Sequence, residues 1–387
     1  MAVTYLRPSD GQMGSCYRRA LFFTALMLVG LLHGCEEGDA PAVISVGPDE
    51  GWIDPIPDAS YDVTGDGDGS LDAAGHGDAT ASSPSIDWNA PCESQPLATP
   101  PQVDMAQVNG SDFLYAAPDA PWGLLTIHHG GGGSMNNILE RPEMILLAND
   151  ALDAGLAIAA LDSAAHLTAP PGEKPKWNDD DSADNPDLIN TQAMVARLSD
   201  PDDLGQVPPA APIFVFGVSN GGTFVSRLVQ HMDVSAVVVF ISHAQIFHRD
   251  DVLTPPLFLM AAEQDGVVGS ESMTALSEKV AAMDDGVVAF HLNTPDALTP
   301  GRFTRISGVD CALSKDIGKA LDDGGYLDET GRLYTSPAES DWKSVMPDGA
   351  APHVFGIGDE LMELYADHMV SNEFDDALFE FLYAQLQ

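Results

Sequence analysis

Residues 213–229 read Ile213-Phe214-Val215-Phe216-Gly217-Val218-Ser219-Asn220-Gly221-Gly222-Thr223-Phe224-Val225-Ser226-Arg227-Leu228-Val229. The apolar run Ile213 to Phe216 predicts a short buried strand, and the residues from Asn220 onward predict an amphipathic helix. Between them stands Gly217-Val218-Ser219-Asn220-Gly221. A serine at the tip of so sharp a strand-to-helix turn needs neighbours, two positions before and after it, that are almost free of side chain. Gly217 and Gly221 meet that need, so the Ser219 hydroxyl is expected to stand exposed above the sheet. Gly and Ser are common, and the pattern alone could be a structural turn. The strand before it and the helix after it are the context a nucleophile requires, and they favour that reading over the turn.

A second segment points to the same chemistry. Trp122 to Ile127 is another buried-strand run, and it opens into His128-His129-Gly130-Gly131-Gly132-Gly133-Ser134. Consecutive glycines leave backbone N–H groups uncovered, able to face a developing negative charge. Gly130, Gly131 and Asn220 are the expected oxyanion donors. A phosphate-cradling loop fits less well, because no Lys or Arg lies between Arg19 and Arg141 and no Gly-Lys-Ser/Thr ending follows.

Together the two segments resemble the α/β-hydrolase superfamily, in particular esterases and lipases that carry a His-Gly-Gly-Gly loop ahead of Gly-x-Ser-x-Gly. The resemblance spans residues 100–387. It implies an α/β fold, a mostly parallel sheet with helices on both faces, and a catalytic Ser, acid and His in that chain order. It implies no metal and no organic cofactor. Pro256 to Val268 resembles the family's acid-bearing segment, with Asp265 just past a strand as the expected acid and Glu263 as the nearby alternative. The family's histidine follows the last strand and precedes the terminal helix. His368, in Tyr365-Ala366-Asp367-His368-Met369, fits that position, and His353 is the alternative base. His231, His243, His248 and His291 are expected to be structural or pocket-lining.

The rest of the domain supports a parallel sheet covered on both faces, since near-continuous apolar strands alternate with helices. Strands are expected over 155–162, 236–241, 256–261 and 287–292. Helices are expected over 138–153, 188–198, 270–283 and 373–386, with 174–185 a charged loop. Residues 294–356, which include Arg302 and Arg305 and a helix from Ser314 to Leu321, form a cap-like insertion before the histidine and a candidate lid.

The N-terminus reads as a targeting segment. Arg18 and Arg19 precede an apolar run, Ala20 to Leu32, that is too short for a comfortable membrane span. Leu32-His33-Gly34-Cys35 resembles a bacterial lipobox, which implies removal of residues 1–34, acylation of Cys35 and a lipid-anchored location in the cell envelope. Residues 35–91 are Asp-, Gly- and Pro-rich, without Lys or Arg, and are expected to form a solvated stalk before a catalytic domain over 92–387. Within the stalk, Asp62 to Asp72 looks partly like a calcium loop, but Ala73 stands where a carboxylate is required. Cys92 and Cys311 remain in a disulfide-permissive setting, as one bridge or as two free thiols.

The formal net charge is −43, from 16 Lys and Arg against 59 Asp and Glu. Such a field repels nucleic acid and anionic lipid surfaces and disfavours polyanionic substrates. The expected partner is a small-molecule or polymeric ester, with membrane contact only through the lipid. The reading is a serine hydrolase that cleaves carboxylic esters through an acyl-enzyme. Alternatives are a peptidase or polyester depolymerase on the same triad, or a non-catalytic binding lipoprotein on the same fold.

Overall fold

The computed structural model describes residues 86–170, 172–242, 255–281 and 288–386. The expected signal segment, Cys35, the calcium-like loop, His243 and His248 lie outside the described residues.

One sheet of eight strands organises the described chain: β1 (Asp104–Val108), β2 (Ser111–Ala116), β3 (Gly123–His128), β4 (Leu156–Leu161), β5 (Ile213–Val218), β6 (Ala236–Phe240), β7 (Leu257–Ala262) and β8 (Val288–Asn293). Their spatial order is β1-β2-β4-β3-β5-β6-β7-β8. β1 and β2 form an antiparallel hairpin, and β2 joins β4 antiparallel; every other neighbour pair is parallel. Asn109 and Gly110, both at positive φ, make the two-residue hairpin turn. With its antiparallel edge and parallel remainder, this is the α/β-hydrolase fold.

Nine helices accompany the sheet among the described residues: α1 (Asn137–Glu140), α2 (Pro142–Asp153), α3 (Ala165–Thr168), α4 (Pro186–Ser199), α5 (Asn220–Leu228), α6 (Ser270–Ala281), α7 (Cys311–Asp323), α8 (Val354–Leu364) and α9 (Asp375–Ala384). The single helix expected over 138–153 is broken at Arg141, whose extended backbone precedes Pro142 at the start of α2.

Strand alternation divides the apolar residues between two layers. Val215, Val237, Val239 and Leu259 face the α4–α5 side, where Met194, Leu198, Phe224 and Leu228 complete one core. Phe214, Phe216, Phe240 and Phe258 face the other side, against Leu147 of α2 and Leu378 and Leu382 of α9. Both faces of each central strand are therefore dry.

The segment between β8 and His368 builds a third core of its own. Phe303, Ile317, Leu321, Trp342, Ile357 and Leu361 are buried together there. The expected insertion end at 356 falls inside α8, whose buried face belongs to that core. The folded body also starts earlier than Cys92. Trp88 packs its ring against Gly318 of α7 and donates its indole N–H to Asp322 at 2.9 Å. Cys92 and Cys311 are joined in a disulfide, which fixes this entering segment to the first residue of α7.

A buried charge cluster welds the insertion to the sheet layers. Arg302 donates to Glu360 at 2.7 Å and also to Glu363, and Arg305 donates to Glu143 of α2. Glu143 in turn accepts from the Asn372 N–H at 2.7 Å, and Ser371 donates its hydroxyl to Glu363 at 2.7 Å. Burial is the main cause that lifts Glu143 to about 7 and Glu360 to about 8, with neighbouring carboxylates adding to it and the guanidiniums opposing. Arg302 moves the opposite way from what burial alone would give, because Glu360 and Glu363 face it. Three carboxylates thus share two guanidiniums in a dry site.

Candidate active site

Each expected triad and oxyanion residue belongs to a segment that follows the carboxyl edge of a parallel strand, where open α/β sheets place their ligand sites. The glycine loop follows β3, Ser219 follows β5, Asp265 follows β7, and His368 follows β8 after the insertion.

Ser219 is the N-cap of α5 and has φ 52° and ψ −115°. A non-glycine residue in that region is strained, and the surroundings must hold it there. Its N–H donates to the Phe240 carbonyl at 3.0 Å, anchoring the corner to the end of β6. The glycines on either side are required by contact. A Cβ at Gly217 would run into the Gly221 backbone, and one at Gly221 would run into the His128 carbonyl.

Ser219 Oγ lies 2.7 Å from His368 Nε2, and His368 Nδ1 lies 2.9 and 3.0 Å from the two oxygens of Asp265. A carboxylate can only accept, which assigns the imidazole proton to Nδ1 and leaves Nε2 to accept from the serine hydroxyl. Asp265 is buried, and its Oδ1 also accepts from the N–H groups of Val267 and Val268 at 2.9 and 2.8 Å. These bonds hold the carboxylate plane toward the imidazole. Glu263, the alternative acid, is exposed at the end of β7. His353 stands away from this chain of contacts, with its ring against Gly308 inside the insertion. His291 is stacked on Phe258 at 4.6 Å.

Of the four glycines after His129, Gly132 and Gly133 have committed amides, donating to Pro175 at 2.8 Å and to Gly130 at 3.0 Å. Gly130 and Gly131 border the serine corner. A Cβ built on Gly130 would lie 3.5 Å from Ser219 Cβ, and one on Gly131 would lie 3.7 Å from Asn220 Cβ. Asn220, at the first turn of α5, contributes the adjoining backbone N–H.

The loop is braced from behind by groups that sequence reasoning passed over. Trp177, in the segment expected to be a charged loop, is buried and donates its indole N–H to the His129 carbonyl at 2.8 Å. Its backbone N–H donates to Asn220 Oδ1 at 2.8 Å, and its ring stacks on Phe224 at 4.6 Å. A lone tryptophan among acids and lysines was the available signal. Burial pushes His128 down to about 4 and His129 to about 3, so both imidazoles are neutral. His129 Nδ1 donates to the Gly130 carbonyl at 2.7 Å, and its Nε2 accepts from the Ser163 N–H at 3.3 Å. His129, Asp162 and His166 bring ligand-type atoms within 4.8 Å of one another. Asp162 already accepts from the Met135 N–H at 2.7 Å, and this group acts as a polar brace behind the loop.

Asp367 is the other residue passed over. It accepts from the N–H groups of Gly266 and His368 and from the Ser336 hydroxyl, and Gln264 donates to the neighbouring Ala366 carbonyl. The acid loop and the histidine loop are thereby stitched together.

No protein-family model matches the chain, and no curated protein matches it. Solved structures that match include an α/β serine hydrolase homologue from Coxiella burnetii, 16% identical over 49% of this chain and 86% of that chain, with a TM-score of 0.36. A cold-adapted esterase from an Arctic intertidal metagenomic library is 15% identical over 49% of this chain and 82% of that one, with a TM-score of 0.36. An esterase from Pyrococcus furiosus is 15% identical over 49% of this chain and 82% of that one, with a TM-score of 0.35. The strand order β1-β2-β4-β3-β5-β6-β7-β8 and the loops at its carboxyl edge define the fold.

Proposed function

We propose that the chain is a serine hydrolase that cleaves carboxylic esters through an acyl-enzyme. The observation that carries this reading is the continuous hydrogen-bond path from Ser219 Oγ through His368 to Asp265 at a strained strand-to-helix corner. A free serine hydroxyl is a poor nucleophile at neutral pH and needs such a base.

In the proposed reaction Ser219 Oγ attacks the ester carbonyl while His368 Nε2 takes its proton, and Asp265 steadies the resulting imidazolium through Nδ1–H. The carbonyl oxygen becomes an oxyanion held by N–H groups of Gly130 or Gly131 and of Asn220. His368 returns the proton to the departing alkoxide, which leaves as the alcohol. Water then attacks the acyl-serine, again giving its proton to His368. Collapse of the second tetrahedral intermediate releases the carboxylic acid and restores the Ser219 hydroxyl. Attachment to a bacterial envelope membrane through Cys35 accompanies this proposal on sequence grounds alone.

Ser219→Ala should abolish hydrolysis of short p-nitrophenyl esters while the unfolding midpoint in urea stays within the wild-type range. Undiminished turnover by that variant would sink the assignment.

A further inference from the structure

Two lysines stand where this chain can least supply positive charge by chance. Lys174 and Lys176 are exposed and flank Pro175, whose carbonyl accepts from the Gly132 N–H at 2.8 Å. The next residue, Trp177, is bonded to both Asn220 and His129. The backbone that carries the lysines is thus fixed to the glycine loop and to the serine corner together.

Their aliphatic stems lie along the glycines themselves. A point one Cβ out from Gly131 is 3.6 Å from Lys176 Cε and 3.7 Å from Asn220 Cβ. The corresponding point at Gly132 is 3.2 Å from Lys174 Cδ. The missing Cβ atoms therefore make room for the lysine stems.

Among the described residues neither ammonium group makes an ion pair or a hydrogen bond. Arg141, Arg197, Arg302, Arg305 and Lys319, by contrast, each hold a carboxylate. Lys315 donates to the Ala90 carbonyl. Two cations without a carboxylate partner border the glycine loop, in a chain of net charge −43, and offer an anion a contact beside the proposed oxyanion site.

We propose that the substrate ester carries one anionic group, in the simplest case a carboxylate, which Lys174 and Lys176 bind beside the scissile carbonyl. This rests on the ester-hydrolase reading above. Two charges suit one small anion, whereas a polyanion would meet the acidic surface around them. The contact is made equally in the ground state and the transition state, so its loss should appear mainly in KM.

The test compares monomethyl succinate with methyl pentanoate, a neutral ester of matching chain length, by acid release at constant pH. Wild type should favour the anionic ester about tenfold in kcat/KM, the size expected of two partly exposed charge contacts, and added salt should shrink that preference. The double variant Lys174→Met/Lys176→Met should bring the ratio to about one, largely through KM. Lys319→Met, on α7, should leave the ratio within about twofold of wild type. A ratio unaltered by the double substitution, or reduced as much by Lys319→Met, overturns the inference.

A binding arm separates the two readings. Monomethyl succinate titrated into Ser219→Ala, followed by ligand-observed NMR, should bind about tenfold more weakly when both lysines are replaced. Equal binding overturns the lysine inference even if esters are hydrolysed. Lysine-dependent binding without turnover of either ester or of p-nitrophenyl acetate keeps the anion contact and overturns the hydrolase reading instead.

Discussion

Asp367 accepts a hydrogen bond from the Gly266 N–H at 3.3 Å, so the residue before the proposed base is tied to the residue after the proposed acid. Neither residue touches the serine. The bond nevertheless sets the spacing of two loops that approach from β7 and from the far end of the insertion. Asp367→Ala should lower kcat about 10- to 100-fold, since small misplacements of a catalytic group cost that much, with KM nearly constant. Asp367→Asn keeps an acceptor oxygen for the N–H groups of Gly266 and His368 and should restore most of the rate. Wild-type kcat in the alanine variant would show that the tie is dispensable.

The proposed base is identified by contrast with its alternative. His368→Ala should reduce kcat on p-nitrophenyl acetate by roughly three to six orders of magnitude, comparable with Ser219→Ala, because members of a triad act as one unit. His353→Ala should leave kcat within about twofold, since its ring packs against Gly308 inside the insertion. The opposite ranking in steady-state kinetics would transfer the role to His353.

Arg302 lies buried between Glu360 and Glu363. Arg302→Met leaves those carboxylates facing one another with less countercharge and should cost about 3–5 kcal/mol in urea unfolding. Pairing it with Glu360→Leu removes one of the stranded charges and should recover part of the loss. No recovery in the double variant would mean that the cost comes from packing and not from charge.

Acid sensitivity has a direction fixed by the glycine loop. His128 is held at about 4 and His129 at about 3, below the ordinary value of 6.5. Between those values and 6.5 the unfolded chain binds more protons than the folded one, so stability falls as pH drops through that window. Above pH 6.5 the contribution is complete. Glu143 and Asp359, pushed up by burial, act in the opposite direction, so the comparison must be made against wild type at each pH. His128→Asn keeps a donor toward the Phe216 carbonyl and cannot titrate. Its urea midpoint should decline less between pH 7 and pH 4 than that of wild type, and parallel curves would rule out His128 as a source of the slope.

What could be read from the chain follows from how local each signal is. β3, β5, β6 and β7 declare themselves because strands dry on both faces are continuous apolar runs. The serine corner is legible because its requirement for small residues is met within five positions. β1 and β2 are not: Asp104-Met105-Ala106-Gln107-Val108 mixes polar and apolar residues, as an edge strand does, and prolines surround the hairpin. α8 is obscured for a different reason. Asp359, Glu360 and Glu363 look like a solvated face, yet Arg141 and Arg302, distant in sequence, take them into the interior. Arg302 and Arg305 lie three positions apart in the insertion, but nothing local names their partners. Trp177 and Asp367 escaped for the same reason, since their contacts lie on loops from other strands.

The disulfide between Cys92 and Cys311 gives the molecule a defined route for mechanical load. Tension pulling on the chain ahead of Ile86 enters at Trp88 and passes through the sulfur bridge into α7. It is then carried by the insertion, with its ionic weld to α2, before reaching any strand of the sheet. Peeling of β1 from the sheet edge, the failure an unbridged leader would invite, is bypassed. The serine corner and its glycine loop lie downstream of that strain path, and the body can be held by one end without distorting the residues proposed to do its chemistry.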